Sequence, residues 1–121
     1  MDTRTKIVEA GLVPAHCTVI TGTFDVMLAQ DAKELAEIRA QYPSQAVCVV
    51  VLPLAQELLS QRARAELAAA LRMVDYVVIA DNPAPHAILA ALHPGRIVPL
   101  EAAHELRKRH LTEHVRSRQT R

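Results

Sequence analysis

The seven residues Ala46 to Leu52 read AVCVVVL, an apolar run with no polar side chain to mark a wet face. A strand with one solvated face alternates apolar and polar residues, whereas an unbroken run needs cover on both faces, as in a parallel sheet between helical layers. Its β-branched content favours strand over helix, and Pro53 ends it. One such strand at the centre of a chain of 121 residues commits the rest to supplying the covering helices.

Those helices are legible on either side. Ala29 to Gln41 is predicted as a helix with Ala32, Leu35, Ala36 and Arg39 recurring on one side, stopped by Pro43 and Ser44. Ala55 to Arg72 is rich in helix formers, and Leu67 and Leu71, with Ala63 and Ala70 near them, are expected to face the sheet. Ala84 to Leu92 reads as a short helix closed by Pro94-Gly95, and a last helix begins near Glu101 with Leu106, Leu111 and Val115. Strands are predicted at His16 to Thr21, Val74 to Ala80 and Arg96 to Leu100, the last placed by Pro99 at an edge or at its own end. Lys6 to Val8 reads as a small extra strand, and Gly11 and Pro14 break anything longer. Strand and helix alternate four times. The expected fold is α/β, a three-layer α/β/α sandwich on a mostly parallel Rossmann-like sheet with right-handed crossovers. Residues 1–15 form an N-terminal extension, 16–116 the domain and 117–121 a basic tail.

Composition narrows the function. Half of the residues are hydrophobic, enough for one core, but there is one Phe, two Tyr and no Trp. Stacking platforms for single-stranded nucleic acid are therefore nearly absent. Residues 1–103 carry eight Lys/Arg against eleven Asp/Glu and residues 104–121 carry six against two, a split of −3 and +4. The run Arg107-Lys108-Arg109 with Arg116, Arg118 and Arg121 would suit nucleic acid or an acidic partner. Interspersed Glu and His, and the preference of a helix end for cations, weigh against specific nucleic-acid recognition. No apolar run approaches a membrane span and MDTRTKIVEAG lacks a signal-peptide core, so a cytoplasmic protein is expected. Cys17 and Cys48 make no metal spacing and read as buried reduced thiols, which become neighbours if their strands pair.

Ligands in such sheets bind at the carboxyl ends of the strands, where strand order reverses. Thr21-Gly22-Thr23 ends the first strand with two hydroxyls, a backbone uncovered by a Cβ and N–H groups able to meet phosphate oxygens. Asp25 either serves that site or caps the following helix.

Here the residues resemble a known group. GTFD followed by a helix is similar to the G-x-F-D-x-x-H-x-G-H motif of the cytidylyltransferase-like nucleotidyltransferases, which include glycerol-3-phosphate cytidylyltransferase and the adenylyltransferase domain of ADP-heptose synthesis. Arg64 to Leu92 resembles the family segment in which an Arg-bearing helix leads into V-D-x-V-V and an acidic turn. The resemblance implies a crevice holding a nucleoside triphosphate for attack at its α-phosphate, with Mg²⁺ and ATP or CTP as cofactors if a nucleotide site is retained. Gly22, Phe24 and Asp25 match the motif, but Leu28 and Asp31 stand at its histidines and Gln30 at its glycine. Leu28 donates nothing to a phosphate, and Asp31 adds a like charge beside it. The family's phosphate-contacting Lys has no counterpart, since no Lys occurs from 34 to 107, and its V-K-G-x-D and late S-T elements are also missing.

A dismantled transferase site is therefore expected, a non-catalytic binding or assembly module with no catalytic residue and no protein metal ligand. Its residual nucleotide or phosphate crevice is assigned to Thr21, Gly22, Thr23, Phe24, Asp25 and Asp31. The alternative is an active cytidylyl- or adenylyltransferase acting on a phosphorylated sugar or polyol through Thr23, Asp25 and a metal at Asp31. Expected partners are a nucleotide or phosphorylated small molecule and a second copy of the chain. His104, His110 and His114 read as a solvated or interface face, His86 and His93 as caps or packing, and His16 lies at the end away from the crevice. Arg64 with Glu66, and Arg72 with Asp75, read as ordinary surface pairs.

Overall fold

A computed structural model describes residues 2–119; Met1 of the N-terminal extension and Thr120 and Arg121 of the expected tail lie outside the described residues. Four parallel strands, β1 (Thr18–Gly22), β2 (Val47–Val51), β3 (Tyr76–Ile79) and β4 (Arg96–Pro99), lie in the order β3-β2-β1-β4. Helices α1 (Ala29–Gln41), α2 (Gln61–Ala69) and α3 (His86–Leu92) form the crossovers, and α4 (Glu101–Gln119) follows β4 after the single residue Leu100. The architecture is the expected three-layer α/β/α sandwich.

The apolar run is the central strand β2, and its alternation builds both cores. Val47, Val49 and Val51 meet Leu35 and Ile38 of α1 and Ala65, Ala68 and Ala69 of α2. Cys48, Val50 and Leu52 face the other way, toward Val13 and Leu92. Both cysteines are free and buried in this second cluster, and burial pushes the Cys48 thiol up to about 12, so it is a packing group rather than a nucleophile.

Several boundaries move, each for a local reason. β1 starts at Thr18, because His16 adopts a positive φ of 66° and gives its N–H to the His93 carbonyl in a turn. The predicted strand at Lys6 to Val8 shrinks to one parallel bridge between Ile7 and Val77. α2 begins only at Gln61, capped by the Ser60 hydroxyl, and Leu67 is 42% exposed. The face of α2 that meets the sheet is Arg64, Ala65, Ala68 and Ala69 instead. Asp75 pairs with Arg39 at 2.6 Å, not with Arg72, and also accepts the Val47 N–H. No helix among the described residues is long and apolar enough to cross a membrane.

Candidate functional site

β1 ends where strand order reverses, beside the start of α4, and the N–H groups of Thr23 and Phe24 follow just beyond it. The sequence makes α4 polar on successive turns: Glu101, His104, Arg107 and Lys108 lie three or four residues apart and share a face. That face meets the strand-end turn residue by residue. The Thr21 hydroxyl donates to Glu101 Oε1 at 2.7 Å. His104 Nδ1 accepts the backbone N–H of Thr23 at 3.1 Å and that of Phe24 at 3.3 Å. The Phe24 and His104 rings are 4.3 Å apart at their centroids. Lys108 Nζ donates to Asp25 Oδ2 at 2.8 Å, and Arg107 bridges Asp31 and Glu34. All six residues singled out in the sequence are thus gathered in one place, and α4 contacts each of them, Gly22 by close approach of the His104 ring.

The two aspartates divide their roles differently from the sequence reading. Asp25 does not cap α1; it accepts the N–H groups of Leu58 and Leu59 at 2.7 and 2.9 Å and so draws the segment after β2 against the turn. Asp31 caps α1, accepting the Leu28 N–H at 2.8 Å. Its negative charge, problematic beside a phosphate, is matched here by the Arg107 guanidinium. Burial works against ionisation of Asp25, but the hydrogen bonds from Lys108, Leu58 and Leu59 outweigh it and hold the carboxyl below its usual range.

His104 is the largest departure from expectation, since it is buried at 5% exposure and not on a solvated face. Both groups on Nδ1 are N–H donors, so Nδ1 carries the lone pair and Nε2 the hydrogen. Nε2 lies 3.6 Å from Asp31 Oδ1 and has no hydrogen-bond partner. Burial, opposed by the Asp31 charge and reinforced by Arg107, pushes the imidazole below its ordinary value. The neutral ring is the form that fits.

Asp31, Glu34 and His104 could coordinate a divalent cation, since one ligand atom of each lies within 4.8 Å of the others. Two carboxylate oxygens suit a hard ion such as Mg²⁺, while the imidazole shifts the preference toward a transition ion. Arg107 already pairs with both carboxylates, so its guanidinium and a bound cation would compete for the same two side chains.

Arg64, read as a surface charge, is fully buried. Its Nη1 donates to the Thr23 and Leu52 carbonyls at 2.8 and 2.9 Å, Nε to the Leu59 carbonyl at 3.2 Å, and Nη2 to Glu57 at 2.9 Å. It ties the ends of β1 and β2 to the loop that follows. An arginine on the same helical face as Ala65, Ala68 and Ala69 was the available sign. Glu66 pairs instead with Arg62, across one helical turn.

The open space at this end lies beside the turn. A cavity of about 780 Å³ is lined by Thr23, Leu52, Pro53, Gln56, Glu105 and Lys108 among others, so Thr23 is the single sequence-assigned site residue on its wall. Of the basic stretch, Arg107 and Lys108 turn inward, and Arg109 reaches Glu105 at 3.5 Å. His110 and His114 remain exposed.

The parallel sheet, its order and the placement of the crevice are consistent with a Rossmann-like nucleotide-binding superfamily. No protein-family model matches the chain, and no curated protein matches it.

Proposed function

We propose that this chain is a non-catalytic nucleotidyltransferase-like domain, a binding or assembly module whose nucleotide crevice is occupied by its own last helix. The observation that carries this reading is the His104 imidazole on the Thr23 and Phe24 amides, the groups that would otherwise meet a phosphate. Asp31 and Glu34 hold Arg107 and Asp25 holds Lys108, so a polyphosphate that drew these cations away would leave three carboxylates uncompensated beside it. The preferred partner of this crevice is a cationic helix. Purified protein incubated with CTP or ATP, Mg²⁺ or Mn²⁺ and a panel of sugar and polyol phosphates should release no pyrophosphate above blank; clear release sinks the reading. A second copy of the chain is the proposed assembly partner, which light scattering at high concentration tests directly.

One observation favours a second reading, an active nucleotidyltransferase with altered metal handling: the juxtaposition of Asp31, Glu34 and His104. It requires that Asp31→Asn abolish a measurable transfer activity. An unchanged rate removes it.

A further inference from the structure

Asp31 and Glu34 stand one turn apart on α1, and the single Arg107 guanidinium pairs with both in the docked state, leaving one negative charge in excess. That pairing leaves two buried atoms without a hydrogen-bond partner, Glu34 Oε1 and His104 Nε2. The His104 side chain is 2% exposed and its Nε2 points toward Asp31 Oδ1, 3.6 Å away. Arg107, in contrast, is 24% exposed and has a route outward. One ligand atom each of Asp31, Glu34 and His104 lies within 4.8 Å of the others, at a place from which the present cation can leave.

We propose that Asp31, Glu34 and His104 form a divalent transition-metal site that is loaded by exchange with Arg107 and that unlatches α4. It rests on the reading of α4 as the occupant of the crevice. Two carboxylates and one imidazole are a donor set for Zn²⁺ or a similar borderline ion, with a fourth position left for water. Their two negative charges balance the incoming ion and release the guanidinium to solvent.

The exchange has a consequence at the turn. Binding metal at Nε2 uses the lone pair there, so the ring hydrogen moves from Nε2 to Nδ1 with no net proton gained or lost. Nδ1–H can no longer accept from Thr23 and Phe24. Metal binding and the imidazole cap on the turn are therefore mutually exclusive, and the two amides are freed when metal enters.

Titrating Zn²⁺ into the ¹⁵N-labelled full chain tests this. The Thr23 and Phe24 amide signals are expected to move in step with a metal-induced shift of the His104 Nε2 signal. Arg107→Gln should bind Zn²⁺ at least about tenfold more tightly than the wild type because the competing cation is gone, while Asp31→Asn with Glu34→Gln should lose at least about tenfold. Replacing the exposed pair, His110→Gln with His114→Gln, should leave the response intact. Unmoved Thr23 and Phe24 signals, an Arg107→Gln affinity no higher than wild type, or retention of the site without the two carboxylates would each overturn the proposal. Arg107→Lys, which keeps one charge but loses the fork, gives an intermediate affinity if Arg107→Gln does not fold, and the wild-type titration decides alone if neither does. Pyrophosphate release by the wild type would sink the non-catalytic reading and leave the exchange standing; a silent zinc titration would do the reverse.

Discussion

The Nδ1 atom of His104 lies 3.1 Å from the backbone nitrogen of Thr23 and accepts its hydrogen, joining two residues 81 positions apart. Gly22 makes the approach possible. A Cβ there would lie 2.4 Å from His104 Cε1 and 2.6 Å from Nδ1. Gly22 has no positive φ, so this position demands space and not an unusual backbone conformation. The space that a Cβ would take is filled by the His104 ring.

Gly22→Ala should therefore destabilise the fold by about 1–3 kcal/mol through overpacking against the imidazole. His104→Ala should lose about 1–3 kcal/mol by leaving buried amides without an acceptor. In the double variant the new methyl group enters space vacated by the ring, so the losses should fall short of their sum by about 0.5 kcal/mol or more. Urea denaturation of the four proteins measures the cycle. Strict additivity would mean that Gly22 serves something other than His104.

Acid should loosen the same contact. The His104 imidazole is held below 6.5 chiefly by burial, so between that value and its lower folded value the unfolded chain binds the proton more readily than the folded one. Its contribution is fully present above the unfolded value and is lost as pH falls through the folded one. Asp25, depressed below 3.8, adds a second loss at more acidic pH with the same sign. Denaturation midpoints taken from about pH 8 to about pH 5 should fall on acidification, and His104→Gln should flatten that slope. A midpoint that rises on acidification would contradict the assignment of a neutral ring.

The contrast between what the sequence disclosed and what it hid has a physical basis. β2 was legible because burial on two faces leaves an unbroken apolar run, and α1 because its periodic residues run up to the breakers Pro43 and Ser44. The start of α2 was not: residues 55–60 have helical propensity, but Asp25 takes the Leu58 and Leu59 amides and holds them in a loop. The inner face of α2 was missed because leucines were expected to point inward, whereas small alanines leave room for the Arg64 guanidinium. At the site, the sequence identified the turn and the misfit of Asp31 with a phosphate. It could not identify Arg107 as that charge's partner, because the two are 76 residues apart and no local pattern links them.

Arg64 provides the strongest test of how the strand-end turn is held in shape. Its guanidinium is fully buried and reaches the first carbonyls beyond β1 and β2, those of Thr23 and Leu52, as well as Leu59 and Glu57. Arg64→Met keeps much of the volume but leaves two buried carbonyls without donors and Glu57 without its cation. The expected loss is about 1–3 kcal/mol for each carbonyl left unsatisfied, with faster proteolysis in the loop before α2. Arg64→Lys retains the charge, but a single ammonium cannot span acceptors arranged around a planar fork, so it should recover part of the loss and not all of it. Chemical denaturation orders the three proteins. If Arg64→Met is as stable as the wild type to within about 1 kcal/mol, the carbonyls at the strand ends are satisfied without the guanidinium and the turn does not depend on α2 for its shape.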